Sequence, residues 1–280
     1  MLTFASCLKS MKRLIYIFII AITFSSCSEF QKAIKSEDVA LKFKMGTELY
    51  DTGKYRKALR LFEQIAPKYR GKPQAQKLMY MYAQCFYKTK DFYTANHRFE
   101  RFADNYSKSE KLEEASFLGA KSYYMLSPIY SKDQSETALG IEKLQTFINL
   151  FPNSEYSDEA NKLIKELDFK LEKKAFEIAK QYNKIANRST EHEAAIKSVD
   201  NFIFDFPGSS LREDALYWRF DSAYKLAMNS VEYKKEVRLQ QAKEYYTAFK
   251  KKYTDSKHIE TIDNMALEID KALQIYSTKS

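Results

Sequence analysis

Apolar residues recur along this chain at a spacing of 4, 3 and 4, each time starting from a small residue. Ala58, Phe62, Ile65 and Tyr69 make the first set, followed by Ala95, Phe99, Phe102 and Tyr106 and by Gly140, Leu144, Phe147 and Phe151. Two later sets are Ala195, Val199, Phe202, Phe206 and Ala242, Tyr246, Phe249, Tyr253. That spacing puts the four side chains of each set on one stripe of an α-helix. A second pattern precedes the first three stripes. Gly46, Ala83 and Ala120 correspond at a fixed offset, and Leu49, Phe86 and Tyr123 follow three residues later. Each unit is therefore predicted as two helices, with the small residues letting them approach closely. No stretch alternates apolar and polar residues between glycine-containing turns, so no sheet is predicted.

The stripes end alike, at Tyr106-Ser-Lys-Ser109, Phe151-Pro-Asn-Ser154, Phe206-Pro-Gly-Ser209 and Tyr253-Thr-Asp-Ser256. An aromatic closes the stripe, a breaker stops the helix and a serine opens the next. Acids follow at Glu113 and Glu114, Asp158 and Glu159, and Glu213 and Asp214, where a helix N-terminus favours negative charge. Ser210 with Glu213 and Thr190 with Glu193 have capping-box spacing.

The segment Gly53-Lys-Tyr55-Arg-Lys-Ala58 leading to Phe62 resembles the turn and second helix of a tetratricopeptide repeat. The later units drift: Lys90 stands where the turn glycine would be, Pro128 to Ser135 lengthens the third turn, and residues 156–172 add helix before the fourth unit. One helix pair cannot bury its own apolar face, so the pairs must stack. The expected fold is all-α, a tetratricopeptide-repeat-like α-solenoid of about five helix pairs. Repeats one to three are expected over 37–155, with the extra helix and repeats four and five over 156–280.

Composition agrees, with only 6 Gly and 5 Pro against 20 Phe and 21 Tyr. The N-terminus reads differently. Lys12 and Arg13 precede an apolar run from Leu14 to Phe24, too short to cross a bilayer as a helix, and Phe24-Ser25-Ser26-Cys27 resembles a lipobox. Residues 1–26 are therefore expected to be a lipoprotein signal peptide, with Met11 as the true start, Cys27 as the lipidated residue and 27–36 as a tether. An ordinary signal peptide with a chance cysteine is the alternative. Residues 1–26 carry Lys9, Lys12 and Arg13 and no acid, so the formal charge falls from +9 to +6 on processing. Acidic and basic residues alternate along the chain, which argues against nucleic acid as a partner. Cys85 lies inside an apolar helical pattern and is expected to be a small buried hydrophobe.

No catalytic constellation stands out, so no enzyme and no cofactor is expected. His97, His192 and His258 are isolated from other metal ligands and are read as surface histidines. No small-molecule substrate and no metal site is indicated. The remaining feature is an aromatic ladder on the first helices. Phe43, Tyr80 and Phe117 share one repeat position, and Tyr50, Tyr87 and Tyr124 another, two helical turns away. These six residues either wall a groove for an extended or helical peptide or pack between adjacent repeats. Thr47, Gln84 and Lys121 lie beside them.

The lipobox-like start, the first unit from Ala40 to Tyr69 and the Phe-Pro-x-Ser junctions at 151–154 and 206–209 together resemble the BamD-type outer-membrane assembly lipoproteins. The resemblance implies a palmitate-bearing lipid anchor in the inner leaflet of the outer membrane, facing the periplasm. It also implies two kinds of partner, the BamA insertase at the carboxy-terminal repeats and unfolded outer-membrane β-barrel proteins at the amino-terminal ones. A periplasmic repeat scaffold for cell-wall or surface machinery is the alternative on the same architecture.

Overall fold

A computed structural model describes residues 29–277, and every regular element within that span is helical. The signal segment and Cys27 lie outside the described residues. A short helix at residues 29–35 leads into α1 (Val39–Asp51) and α2 (Tyr55–Ile65), which a 3-10 turn, Ala66–Tyr69, extends. There follow α3 (Ala75–Lys88), α4 (Phe92–Asn105), α5 (Leu112–Leu126) and α6 (Ser135–Leu150). The remainder is α7 (Ser157–Ile185), α8 (Ser189–Asp205), α9 (Arg212–Met228), α10 (Glu232–Lys252) and α11 (Ile259–Ser277). The fold is all-α and solenoid-like. It divides into two compact units. One runs to Ser127 and resumes at Ser135–Ile164; the other comprises Pro128–Gln134 and the chain from Lys165 onward.

In the first unit the predicted stripes are the core. Ala58, Phe62, Ile65, Ala95, Phe99, Phe102, Leu144 and Phe147 are all buried. The small residues do what their size suggests. A Cβ added at Gly46 of α1 would stand 2.5 Å from the Phe62 ring of α2, so the helix crossing is closed by the missing side chain. Both first turns have the same backbone route. The Gly53 N–H donates to the Tyr50 carbonyl and the Lys54 N–H reaches back to Leu49 at 2.8 Å. The Lys90 N–H bonds Tyr87, and the Asp91 N–H bonds Phe86 at 3.0 Å. This wrap-back satisfies carbonyls that a helix end would leave unpaired and needs a left-handed residue. Gly53 supplies it at φ 73°, and Lys90 adopts it at φ 65° without the freedom of glycine.

The junction serines act as ties between helices. Ser109 Oγ accepts from the Lys111 N–H and from Gln76 Nε2 of α3, at 3.1 and 2.7 Å. In the second unit, Ser209 Oγ accepts from the Leu211 N–H and donates to Glu172 of α7 at 2.6 Å. Ser256 likewise accepts from the His258 N–H and donates to Glu213 of α9 at 2.6 Å. Each hydroxyl thus ties its own turn to an earlier helix, near the helix start for Ser109 and Ser256 and in mid-helix for Ser209. The expected capping boxes are corrected accordingly. Glu213 is engaged by Ser256 rather than closing a box with Ser210. At α8 it is Glu191, not Glu193, whose carboxylate accepts from the N–H groups of Asn187 and Arg188, at 2.7 and 3.1 Å. Glu193 is drawn away to Arg238 of α10.

In the second unit α7 continues to Ile185 without interruption, since neither Gly nor Pro stands between Ser157 and Ile185. Phe176 and Ala179 of α7 pack with Val199 and Phe202 of α8 and Ala215 of α9. The closing core gathers Phe220, Ala242, Phe249, Ile262 and Ile269 from α9, α10 and α11.

Candidate interaction surfaces

Interhelical packing divides the aromatic ladder of the first unit. Tyr80 and Phe117 are 9 % and 2 % exposed. Tyr80 lies against Phe99 and Phe102, and Phe117 is stacked on Tyr156 with ring centroids 4.8 Å apart. Tyr80 is therefore packed within its own helix pair, and Phe117 against the residue that precedes α7. Phe43 is half-buried and stacked on Tyr69 at 5.3 Å.

The other register is wetter. Tyr50, Tyr87 and Tyr124 are half-buried. Tyr50 meets Tyr55 edge-on, and burial pushes its phenol up to about 12. Tyr87 sits edge-on to Phe92 and Phe99, and burial raises its pKa as well. A polar network crosses from α3 to α5 beside them. The buried Gln84 amide donates to the Tyr80 hydroxyl at 2.7 Å and approaches Glu114, which pairs with Lys111 at 2.8 Å. Burial and the Glu114 carboxylate hold the Tyr80 proton on. Lys121 covers the Phe117 ring and pairs with Glu159 at 2.5 Å. Thr47 donates to the Phe43 carbonyl. The residues expected to offer polar contacts are thus already engaged within the chain. What this face presents is a line of tyrosine edges between charged pairs.

A second face belongs to α7. Ile178, Tyr182 and Ile185 follow one another at one helical stripe and are exposed, as is Ile129. A cleft of about 410 Å³ beside them is lined by Tyr130, Lys174, Lys180 and Lys184. Glu177 also lines the cleft and pairs with Lys180, and an exposed apolar ridge with a charged rim is the pattern of a protein contact.

Of the three histidines expected at the surface, His192 and His258 are not fully exposed. His97 is exposed beside Tyr93 and Glu100. His192 is 4 % exposed, because it precedes Ala195 by one turn and shares its core stripe. Its Nδ1 has no partner, and burial and Lys225 hold its pKa below the usual range. His258 is half-buried, bonded to Asp214 at 2.6 Å and stacked on Tyr217 at 3.9 Å. Near His192 lies a buried polar cluster that sequence reasoning missed. Asn183 Nδ2 donates to Asp221 and to Ser222, each at 2.7 Å, and Lys225 pairs with Asp221. Cys85 is fully buried, and burial pushes its thiol up to about 12. Among the described residues no group of three or more His, Cys, Asp or Glu is arranged to hold a metal ion, and no helix is long and apolar enough to cross a membrane.

The YfiO family profile, described as outer membrane lipoprotein, matches residues 36–188, just over half of the chain. The chain belongs to the YfiO family. No curated protein matches it. Among solved structures, a kinesin light chain of nearly identical TPR-like repeats from Podosopora anserina is similar at 13 % identity. It covers 79 % of this chain and 100 % of its own, with a TM-score of 0.31. A single-substitution variant of it covers 77 % and 95 % at the same identity and TM-score. YfiO membership gives the molecule its broad setting, an outer membrane lipoprotein built of helical repeats.

Proposed function

We propose that this YfiO-family protein is a membrane-tethered, non-enzymatic scaffold of the outer-membrane β-barrel assembly machinery. Acyl groups on Cys27 hold it in the inner leaflet, facing the periplasm. The first unit receives unfolded barrel proteins along the Tyr50, Tyr87 and Tyr124 edges. The second engages a BamA-like insertase through the Ile178, Tyr182 and Ile185 ridge. The family match over residues 36–188 carries the reading. The half-buried tyrosines support it, since a phenol at a wet boundary offers both an apolar face and a hydroxyl to a passing chain.

Mild crosslinking in intact cells, followed by co-purification, tests the assignment. Recovery of an insertase and nascent barrel proteins is the expected outcome, and Ile178→Lys reduces the former. Recovery of cell-wall enzymes instead supports the other scaffold role. Cys27→Ser is expected to release nearly all of the processed protein from membranes, because stable anchoring needs more than one acyl chain and all are lost together.

A further inference from the structure

We infer that the α2–α4 face of the first unit docks on an anionic lipid surface and receives headgroup phosphates between Arg70, Arg98 and Arg101. The three residues line a cleft of about 830 Å³ with Met79, Tyr82 and Tyr106. Among the described residues none of these guanidinium groups has a carboxylate ion-pair partner. Arg219 and Arg238 of the second unit, in contrast, each hold a carboxylate. Arg98 lies over the Tyr82 ring at 4.9 Å, which fixes a planar donor at the cleft wall. Glu63 is the acid in the lining, so the cleft is cationic. Guanidinium forks match the paired oxygens of a phosphate, and tyrosine rings favour the boundary between headgroup and acyl region.

Charge along the chain points the same way. Seven basic residues stand between positions 54 and 72 against a single acid, Glu63. The even alternation expected from the whole sequence therefore breaks down on α2 and the turn after it. Tether length supplies the occupant. Phe30 is buried against Leu61 of α2, with Lys57 and Arg60 over its ring at 5.5 and 5.6 Å. Two residues, Ser28 and Glu29, separate it from Cys27, and the three Cα steps reach about 10 Å. Arg60 and the cleft residue Pro67 are in turn about 10 Å apart along the helix direction. An acyl group at residue 27 thus brings this face within reach of the headgroups. The inference rests on the lipid anchor proposed above.

The test uses the full acylated chain in vesicles, with a spin label at Lys72→Cys beside the cleft and a control label at Lys251→Cys. Cys85 is too deeply buried to react. Retention on the vesicles reports the anchor, and access of a water-soluble nickel chelate to the label reports the face. In vesicles of one-third phosphatidylglycerol the label at 72 is shielded and that at 251 is open; in pure phosphatidylcholine both are open. Replacing all three arginines by glutamine, with helicity unchanged, lowers the docked-to-free ratio roughly a hundredfold, from about 1 kcal/mol for each cation at an anionic surface. Equal access at 72 in the two lipids, or shielding that survives the triple substitution, overturns the inference. If the chain carries no lipid, the anchor reading fails. Arginine-dependent sedimentation with anionic but not neutral vesicles then still supports the face, and its absence overturns it.

Discussion

Gly46→Ala probes the helix crossing on which the repeat depends. The new methyl carbon would stand 2.5 Å from Phe62 Cε1 and 2.9 Å from Cδ1, whereas carbon atoms pack comfortably at about 3.5–4.0 Å. Relief requires about 1 Å of movement, either by the Phe62 ring or by α1 against α2. The ring is fully buried and has no open side to turn into. Overpacking of this kind costs about 1–3 kcal/mol. Alanine returns about 1 kcal/mol through its better helix propensity. With a contact this short the first effect dominates, and the expected net loss is about 1–2 kcal/mol. Urea unfolding followed by far-ultraviolet circular dichroism measures it. Gly208→Ala is the control, because a Cβ there meets nothing within 4 Å. Trp218, the single tryptophan, stands in the second unit and separately reports that unit by fluorescence. A Gly46→Ala protein as stable as the parent would refute the reasoning, since the crossing would then not depend on a missing side chain.

Lys90→Gly is expected to stabilise the protein by about 0.5–1 kcal/mol, because a left-handed lysine costs roughly 1–2 kcal/mol and glycine gives back part of that in chain entropy; an unchanged urea midpoint would contradict it. Asn183→Ala removes the donor from buried Asp221 and Ser222 and should cost about 2 kcal/mol, read as an earlier Trp218 fluorescence transition. His192 is held neutral by burial, with Lys225 adding to the effect and Asp221 and Glu191 opposing it. The unfolded chain gains a proton near pH 6.5 that the folded chain refuses, so its contribution to stability is complete above that pH and declines as pH falls toward the lower folded value. His192→Leu should flatten stability between pH 7 and that value relative to the parent; parallel profiles would show that another group sets the slope.

The helix pairs were legible because burial follows the 4, 3, 4 stripes at most positions, from Ala58 through Phe249, with Tyr106, Phe151, Phe206 and Tyr246 half-buried. His192 lies on such a stripe, one turn before Ala195, but its polar sequence surroundings read as a surface site. The ladder residues share repeat positions, yet Phe117 is covered by Tyr156, just before α7, and Phe43 by Tyr69 of the 3-10 turn after α2. Repeat register alone does not say which neighbour arrives. The arginine cleft is harder still, since Arg70 meets Arg98 and Arg101 only when the second helices of two repeats stack. Its one sequence signal, the basic run from 54 to 72, is diluted when charge is averaged over the whole chain. Cap chemistry failed for a similar reason: Glu193 and Glu213 have box spacing, but Arg238 and Ser256 reach them from other helices.

Mass spectrometry of the crosslinked complex, purified from membranes with lipid intact, tests the central claim most directly. The account predicts an acylated Cys27, links from Lys88 and Lys121 of the first unit to an unfolded barrel protein, and links from Lys174 or Lys184 to its insertase. A bare residue 27 with no partner linked at either unit would contradict it.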